Sequence, residues 1–197
     1  MAASNGDQVR SDGDKSADKR AKSSLALIFL TVFIDLVGFG VIIPILPTYA
    51  QQLHADKATV GLLIASYSVM QLLFMPVWGR LSDKVGRKPI LLVSLAASCI
   101  GYLIWGFSAA LPMLFLSRLI AGAGNANIAV AQAYISDVTD EENRTKGMAV
   151  IGIAFGLGFV LGPAIGAGCA GFGLEKIGFI AASLSFIDLV LTAIILP

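Results

Sequence analysis

The chain has 197 residues, of which 56% are hydrophobic and only 14% are charged. Soluble domains contain about 45–50% apolar residues and about a quarter charged ones, so a single water-soluble core does not account for this composition. The net charge of +1 gives no reason to expect a nucleic-acid partner. The sequence contains no nucleophile–base pair and no cluster of metal ligands, so it predicts neither an enzyme nor a bound metal or cofactor.

The N-terminal segment, residues 1–23, is polar, is rich in Gly, Ser, Asp and Lys, and shows no apolar periodicity. A segment of this composition cannot bury enough apolar surface to fold. The sequence therefore predicts a disordered tail.

Six long apolar runs follow the tail. They lie at about 24–46, 58–78, 90–107, 112–135, 147–170 and 177–196. A helix needs about 20 apolar residues to cross the hydrocarbon core of a bilayer, whereas a β-barrel strand needs about half as many. The sequence therefore predicts an all-α membrane protein whose six-helix transmembrane domain covers residues 24–197, with consecutive helices antiparallel.

The cations predict how the bundle lies in the membrane. Eleven of the 14 Lys and Arg residues fall on the side of the N-terminus: Arg10, Lys15, Lys19, Arg20, Lys22, Arg80, Lys84, Arg87, Lys88, Arg144 and Lys146. Only Lys57 and Lys176 fall on the other side, and Arg118 lies within a span. Because cytoplasmic loops carry the excess of Lys and Arg, we expect a multi-pass protein of the inner or plasma membrane with a cytoplasmic N-terminus.

Asp35 lies near the middle of the first span. An ionisable group at that depth costs about 3 kcal/mol on insertion scales, so it usually faces a cavity and has a function. Such a carboxylate can exchange a proton near neutral pH and attract a cationic substrate; the alternative is a structural pair. Pro44 and Pro47, together with Gly38 and Gly40, predict that this helix bends or lets a neighbour approach closely.

Arg118 is the cation inside the predicted spans, in the fourth of them. Two contacts are possible for its guanidinium: an interaction with Asp35, or hydrogen bonds to carbonyl groups of the first helix around Gly38 and Gly40. Asp35 and Arg118 differ in height by about 10 Å at 1.5 Å per residue, a gap that a guanidinium bridges only in part, so the carbonyl groups are an equally good interpretation. In either case the guanidinium has to be satisfied inside the bundle.

Further polar residues inside the spans are candidates for lining a cavity. They are Gln71, Asn125, Asn127, Gln132 and Asp188. For each Asn, an interhelical hydrogen bond is as good an interpretation as a substrate contact. Asp188 is either a proton or cation site, or a group that approaches a partner outside this chain.

Two further sequence patterns concern a turn between spans and the packing of the fifth span. Residues 79–89 read GRLSDKVGRKP, a short charged turn between two apolar runs that includes Gly79, Asp83, Lys84, Gly86, Arg87 and Lys88. The fifth span carries Gly158, Gly162 and Gly166 at every fourth position, which predicts a groove where another helix packs closely. Pro163 adds a bend.

These residues resemble a known family. The turn at 79–89 resembles the signature loop between the second and third helices of the major facilitator superfamily. The sequence from Arg118 to Gly122 is similar to that superfamily's fourth-helix motif, and Gly158 to Gly166 is similar to the fifth-helix motif of its antiporters. Asp35 with Pro44 and Pro47 resembles the twelve-helix drug:proton antiporter branch, which includes tetracycline efflux pumps. Those pumps carry an acidic residue in the third helix, where this chain has Gly101.

The resemblance implies the N-terminal half of a transporter that works by alternating access. Asp35 and Arg118 would couple protons to a lipophilic, drug-like or tetracycline-like small molecule. The charged turn, with Arg144, would form the cytoplasmic gate, and Asp83 is predicted to pair locally with Arg87 or Arg144. Such a carrier needs a C-terminal six-helix half or a second copy. The alternative is a truncated, non-transporting membrane protein or assembly partner.

Overall fold

The computed structural model describes residues 26–139, 141–169, 171 and 173–196, so the predicted tail at 1–23 lies outside the described residues. The described residues form helices α1 (Ala26–Ile42), α2 (Leu46–Gln52), α3 (Lys57–Val85), α4 (Arg87–Gly106), α5 (Leu111–Gly124), α6 (Asn127–Val138), α7 (Glu141–Cys169) and α8 (Leu174–Ile195).

These helices group into six candidate membrane spans. Helices α3, α4 and α8 each provide one, and α7 provides another over Asn143–Cys169. Helices α5 and α6 together form one 28-residue span, and α1 and α2 form the sixth as a pair bent by 41°. The predicted fold class, a six-helix membrane bundle, is confirmed.

The first span bends where its sequence predicts a bend. Residues 43–45 form a turn between α1 and α2, and a proline occupies the first turn of α2. Proline has no N–H to donate and clashes with the preceding helical turn, but the first turn of a helix tolerates it. Pro44 therefore interrupts the helix and Pro47 restarts it.

The fourth span, predicted to be continuous over 112–135, is instead broken at Asn125 and Ala126. Helix α5 ends at Gly124, and Asn125 adopts an extended conformation with ψ of 90°. Glycine and asparagine are weak helix formers that commonly end helices. The Ala126 N–H donates to the Ser94 hydroxyl at 2.8 Å, so α4 satisfies a backbone group that the break releases.

Small residues bring α1 and α7 into backbone contact. A Cβ atom added to Gly40 would lie 2.9 Å from the carbonyl oxygen of Gly158 and 3.2 Å from Cα of Gly162. A Cβ on Gly166 would lie 2.8 Å from the carbonyl oxygen of Val41. The close-packing groove predicted on the fifth span is confirmed, and its partner is the helix that carries Asp35.

The apolar core consists of two clusters, one towards each end of the bundle. One contains Val37, Val41, Trp105 and Ile177, and the other contains Ile28, Leu36, Leu91 and Ile135. Leu36 and Val37 belong to different clusters although they are neighbours in the chain. Asp35 directly precedes them, so its carboxylate lies where the two clusters meet.

Candidate functional site

Asp35 is buried, with only 4% of its surface exposed. The Ser98 hydroxyl of α4 donates to its Oδ1 atom at 3.4 Å, and the side chain of Asn127 lies beside it. Among the described residues no cation forms an ion pair with Asp35. A buried carboxylate without a cation is costly when ionised, so this position suits a group that takes up and releases a proton.

The break in the fourth span positions two amides inside the bundle. Asn125, at the break, donates to the Tyr67 hydroxyl of α3. Asn127, the first residue of α6, is fully buried, and neither polar atom of its side chain is within hydrogen-bond geometry of another described residue. Asn125 thus makes the interhelical hydrogen bond that was one of its two interpretations, whereas Asn127 faces Asp35 with unused hydrogen-bonding capacity.

Arg118 is also buried, but it makes neither of the contacts predicted for it. Its Nε donates to the Ser117 hydroxyl at 3.5 Å. The guanidinium carbon lies 5.1 Å from the centre of the Trp105 ring and 6.0 Å from that of the Tyr67 ring. Its Nη2 atom has no hydrogen-bond partner among residues 26–139, 141–169, 171 and 173–196. The positive charge is therefore held against aromatic faces, not by Asp35 or by carbonyl groups of α1.

Two buried tyrosines lie close to both Asp35 and Arg118. Tyr67 on α3 and Tyr102 on α4 are both buried, and each interacts electrostatically with both Asp35 and Arg118. The Tyr102 ring lies against Gly38, where an added Cβ would meet it at 3.4 Å.

A cavity of about 110 Å³ opens beside Arg118. It is lined by Phe39, Ile42, Ile43, Leu46, Ile64, Tyr67, Ser68 and Arg118. These residues come from the first span on both sides of its bend, from α3 and from α5. The walls are apolar and carry one buried cation, and the volume is below the roughly 300–1,000 Å³ of a site for a drug-sized ligand, so this cavity can hold only part of such a molecule.

The other residues predicted to line a cavity, Asp188, Gln71 and Gln132, do not line the cavity beside Arg118. Asp188 on α8 is 1% exposed and lies inside the bundle, near Thr31 and Thr192. Gln71 is partly buried on α3, and Gln132 is exposed on α6, where its carbonyl accepts a hydrogen bond from Ser136. Neither glutamine lines the cavity beside Arg118.

Several residues that lie close to Asp35 and Asp188 in the structure were not predicted from the sequence. They are Thr31, Ser98, Tyr102 and Thr192. Each is a polar or hydroxyl-bearing residue four positions from another in an apolar helix: Thr31 from Asp35, Ser98 from Tyr102, and Asp188 from Thr192. Residues four apart share a helix face, so this spacing was the available signal.

The charged turn at 79–89 forms a network at one end of the bundle. Arg87 donates to Asp83 at 2.6 Å and to Asp137 of α6 at 2.9 Å, and it also donates to the Ser82 hydroxyl at 2.6 Å. The predicted pairing of Asp83 with Arg87 is confirmed, and Asp137 is an additional partner. Gly86 supplies the one-residue turn between α3 and α4 with a φ of 104°, a conformation that favours glycine.

The other members of this predicted gate lie nearby. Lys88 donates to the carbonyl oxygen of Leu196 at the end of α8. Lys84 and Arg144 are exposed, and Gly79 is partly buried near the end of α3. The cations of the turn therefore lie at the same end of the bundle as the α6–α7 junction and the end of α8.

Arg87→Lys should lower the stability of the bundle by about 0.5–1 kcal/mol, because lysine cannot reach two carboxylates with a planar fork. The estimate is small because Asp83 and Asp137 are 63% and 53% exposed, and exposed pairs contribute little. Thermal unfolding in detergent measures the change, with exposed Arg80→Lys as the control. The deficit should shrink in 1 M salt; an equal deficit at both salt concentrations would contradict an ionic origin.

Arg118→Met should leave thermal stability unchanged or raise it by up to about 1 kcal/mol. Replacing a buried, incompletely satisfied charge with an apolar side chain is often neutral or stabilising, although the contacts with Trp105 and Tyr67 are lost. Arg80→Met, at an exposed position on α3, is the matched control and should have little effect. A clear loss of stability in Arg118→Met alone would mean that the guanidinium is held more strongly than its contacts indicate.

A six-span bundle with a buried carboxylate and a buried arginine beside a cavity has the features of a secondary membrane transporter. Residues 28–197 match the sequence profile of the Major Facilitator Superfamily. The chain belongs to this family.

Individual relatives agree with this assignment. The chain is 41% identical over 165 residues to the class H tetracycline resistance protein of Pasteurella multocida, covering 82% of this chain and 41% of that protein. It is 31% identical over 183 residues to multidrug resistance protein 2 of Bacillus subtilis (strain 168), covering 92% and 46% of the two proteins. The predicted resemblance to tetracycline efflux proteins of this superfamily is confirmed.

A solved structure gives the same result. The crystal structure of the human organic anion transporter MFSD10 (TETRAN) superposes with a TM-score of 0.81 at 29% sequence identity, covering 90% of this chain and 48% of that one. The chain thus spans less than half the length of the relatives it matches. It is an integral, multi-pass membrane protein of a transporter family.

Proposed function

We propose that this chain is the first half of a proton-coupled antiporter that expels a lipophilic, drug-like small molecule. The observation that carries the proposal is Asp35, a buried carboxylate that lies at the junction of two apolar clusters and forms no ion pair with any cation among the described residues. The names of the relatives, tetracycline and multidrug resistance proteins, support the substrate class.

In this mechanism Asp35 is the group that exchanges a proton for substrate. Antiport requires that binding of one disfavours binding of the other, and a carboxylate whose charge is sensed at the substrate cavity meets that requirement. Tyr67 both lines the cavity and interacts electrostatically with Asp35. Proton binding at Asp35 would therefore alter the electrostatic potential where the substrate sits.

Arg118 would shape the substrate preference of the cavity. Its Nη2 atom lacks a hydrogen-bond partner and can donate to an oxygen acceptor or an anionic group on the substrate. This favours a lipophilic substrate that carries such an acceptor over the purely cationic one that Asp35 alone suggests. Tetracycline-like molecules, with several oxygen acceptors, fit this description.

At Gly101 the chain departs from tetracycline pumps, and the packing there is tight. A Cβ added to Gly101 would lie 2.9 Å from Cβ of Ala121 and 3.1 Å from the carbonyl oxygen of Ser117. An acidic side chain therefore has no space at this position. In the proposed mechanism, Asp35 takes the coupling role without a carboxylate from the middle of α4.

The complete carrier would include a second six-helix unit, either a C-terminal half or a second copy of this chain. Large apolar side chains are exposed on α3 and α7, among them Leu62, Leu72, Leu73, Ile153 and Val160. The proposed orientation places the N-terminus and the Arg87 network in the cytoplasm of an inner or plasma membrane. There the network would hold the gate on the cytoplasmic side.

The test uses inside-out membrane vesicles with an acidified interior and a pH-sensitive dye. The chain is produced alone, and also together with the part of the class H tetracycline resistance protein that it does not cover. We expect tetracycline to dissipate the proton gradient only when both pieces are present. Dissipation by the chain alone would identify a second copy as the other half.

One outcome would overturn the proposal. If both pieces reach the membrane and copurify, yet neither tetracycline nor a panel of lipophilic drugs alters the gradient, the chain does not transport as proposed. The alternative, a non-transporting membrane protein that assembles with other helices, would then be favoured.

A further inference from the structure

A second buried carboxylate lies between α1 and α8, away from the cavity beside Arg118. Asp188 is 1% exposed, and neither of its oxygens is within hydrogen-bond geometry of another residue in the part of the chain that the structure describes. It lies near the hydroxyls of Thr31 and Thr192 and interacts electrostatically with Asp35. The proposed function does not use this residue.

The two helices place the two carboxylates at the same level. The hydroxyls of Thr31 on α1 and Thr192 on α8 are 3.0 Å apart. Asp35 follows Thr31 by four residues, and Asp188 precedes Thr192 by four. Because the first and sixth spans of a bundle with short connections run antiparallel, both carboxylates lie one helical turn from the threonine contact, in the same direction.

The hydrogen-bond donors around Asp188 are too few for a permanently ionised carboxylate. Of the two threonine hydroxyls, one donates to the other, which leaves one O–H free to face Asp188. The hydroxyl of Ser185, one turn away on α8, donates to the carbonyl oxygen of Leu95 at 3.1 Å. A buried carboxylate with one available donor and no cation is costly.

The charged and titratable groups near Asp188 do not provide a counter-ion. Asp35 faces it from α1, and Cys99 on α4 donates its thiol hydrogen to the carbonyl oxygen of Ala182. Lys88 on α4 is bound to the end of α8 at Leu196. Among the described residues no cation forms an ion pair with Asp188, so a proton is the positive charge that this site can take up.

We propose that Asp188 is a second proton-binding site, coupled to Asp35 across the α1–α8 interface. A proton from the aqueous phase binds one carboxylate oxygen, the site changes from negative to neutral, and the new O–H donates to a threonine hydroxyl. The inference rests on the proposed function, in which Asp35 carries the coupling proton. It adds a second carboxylate whose charge depends on that of the first.

The experiment is a pH titration of the purified chain in lipid nanodiscs by infrared difference spectroscopy, which detects the C=O stretch of a protonated carboxyl group. The spectrum of the wild type minus that of Asp188→Asn isolates the contribution of Asp188. We expect a carboxylic C=O band that appears and disappears between pH 4 and pH 9. Its midpoint should move by at least about one pH unit in Asp35→Asn, because two sites titrate as a coupled pair when they interact by more than about that amount.

Two hydroxyl variants separate proton binding from a general structural effect. Thr192→Val should shift the frequency of the Asp188 band, because it removes a hydrogen-bond partner of the protonated carboxyl. Ser185→Ala, a buried serine on the same helix that is bonded elsewhere, should leave the band unchanged. If Asp188→Asn fails to elute as a folded species, the Thr192→Val shift still tests the assignment.

A band that does not change with pH, or no band at all, would overturn the inference. The result is independent of transport: a titrating Asp35 band without an Asp188 band refutes only the second site. A titrating Asp188 band in a chain that fails the vesicle test would support the second site while the proposed antiport fails.

Discussion

Asp35→Asn is expected to abolish coupling between the proton gradient and drug efflux. In the two-piece vesicle assay, drug-induced proton movement should fall by at least about 100-fold, equivalent to about 2.7 kcal/mol on the coupled step. Asparagine has nearly the shape of aspartate but cannot bind or release a proton. Exchange of labelled for unlabelled drug at equal pH should persist, because the cavity beside Arg118 does not include Asp35.

The matched control is Asp56→Asn, the same chemical change at an exposed position. Asp56 caps α3 by accepting a hydrogen bond from the Thr59 N–H at 2.8 Å, and asparagine caps helices about as well as aspartate does. Its coupled transport should stay close to that of the wild type. Retention of gradient-driven efflux in Asp35→Asn would remove Asp35 from the mechanism, and loss of exchange as well would indicate a folding defect instead.

The parts of the fold that depend on local sequence were predictable. Apolar runs of about 20 residues define membrane helices, and the bend of the first span followed from Pro44 and Pro47. The pairing of Asp83 with Arg87 was also accessible, because the two opposite charges are only four positions apart in the sequence, on either side of the turn at Gly86. In each case the deciding information lies within a few neighbouring residues.

The contacts of Arg118 depend instead on the packing of three helices. The sequence contains a buried arginine and a buried aspartate, and pairing opposite charges is the simplest expectation. In the structure, Trp105 of α4 and Tyr67 of α3 lie against the guanidinium. No local pattern connects these residues, so the arrangement could not be derived without the fold.

The break in the fourth span lies between these extremes. The sequence from Gly122 to Asn125 contains two glycines and an asparagine, which weaken a helix, but a membrane normally enforces helical structure because unpaired backbone groups are costly. The break is tolerated because a side chain of α4 accepts the released N–H of Ala126. Weak local propensity suggested where a break was possible, and the tertiary contact decided that it occurs.

Gly162→Ala is expected to destabilise the bundle by about 1–3 kcal/mol, the usual range for overpacking a tight contact. The added Cβ would lie 2.7 Å from both Cα and the carbonyl carbon of Gly40 and 2.9 Å from the Val41 nitrogen. These are backbone atoms, which cannot rotate away as a side chain can. Helices α1 and α7 would have to separate, and the melting temperature should fall by several degrees, at about 2–4 °C per kcal/mol for a chain of this size.

Gly156→Ala on the same helix is the control, because a Cβ at Gly156 meets nothing within 4 Å. Alanine favours a helix over glycine by up to about 1 kcal/mol, so this variant should be as stable as the wild type or more stable. The two substitutions are chemically identical, but only Gly162→Ala should lower the melting temperature. Equal effects would contradict a close α1–α7 contact.

The same contact connects stability to function through the position of Asp35. A Cβ added at Gly158 would lie 2.6 Å from Cβ of Leu36, the residue that follows Asp35, so the glycine face of α7 fixes the height and rotation of α1 at the carboxylate. Gly162→Ala should therefore also weaken coupled transport, whereas Gly156→Ala should not. Adding Gly40→Ala to Gly162→Ala should cost less than the sum of the two single effects, because residues in contact do not contribute additively. If the losses of stability add, the two glycines lie in separate contacts, and the glycine motif of α7 does not position Asp35.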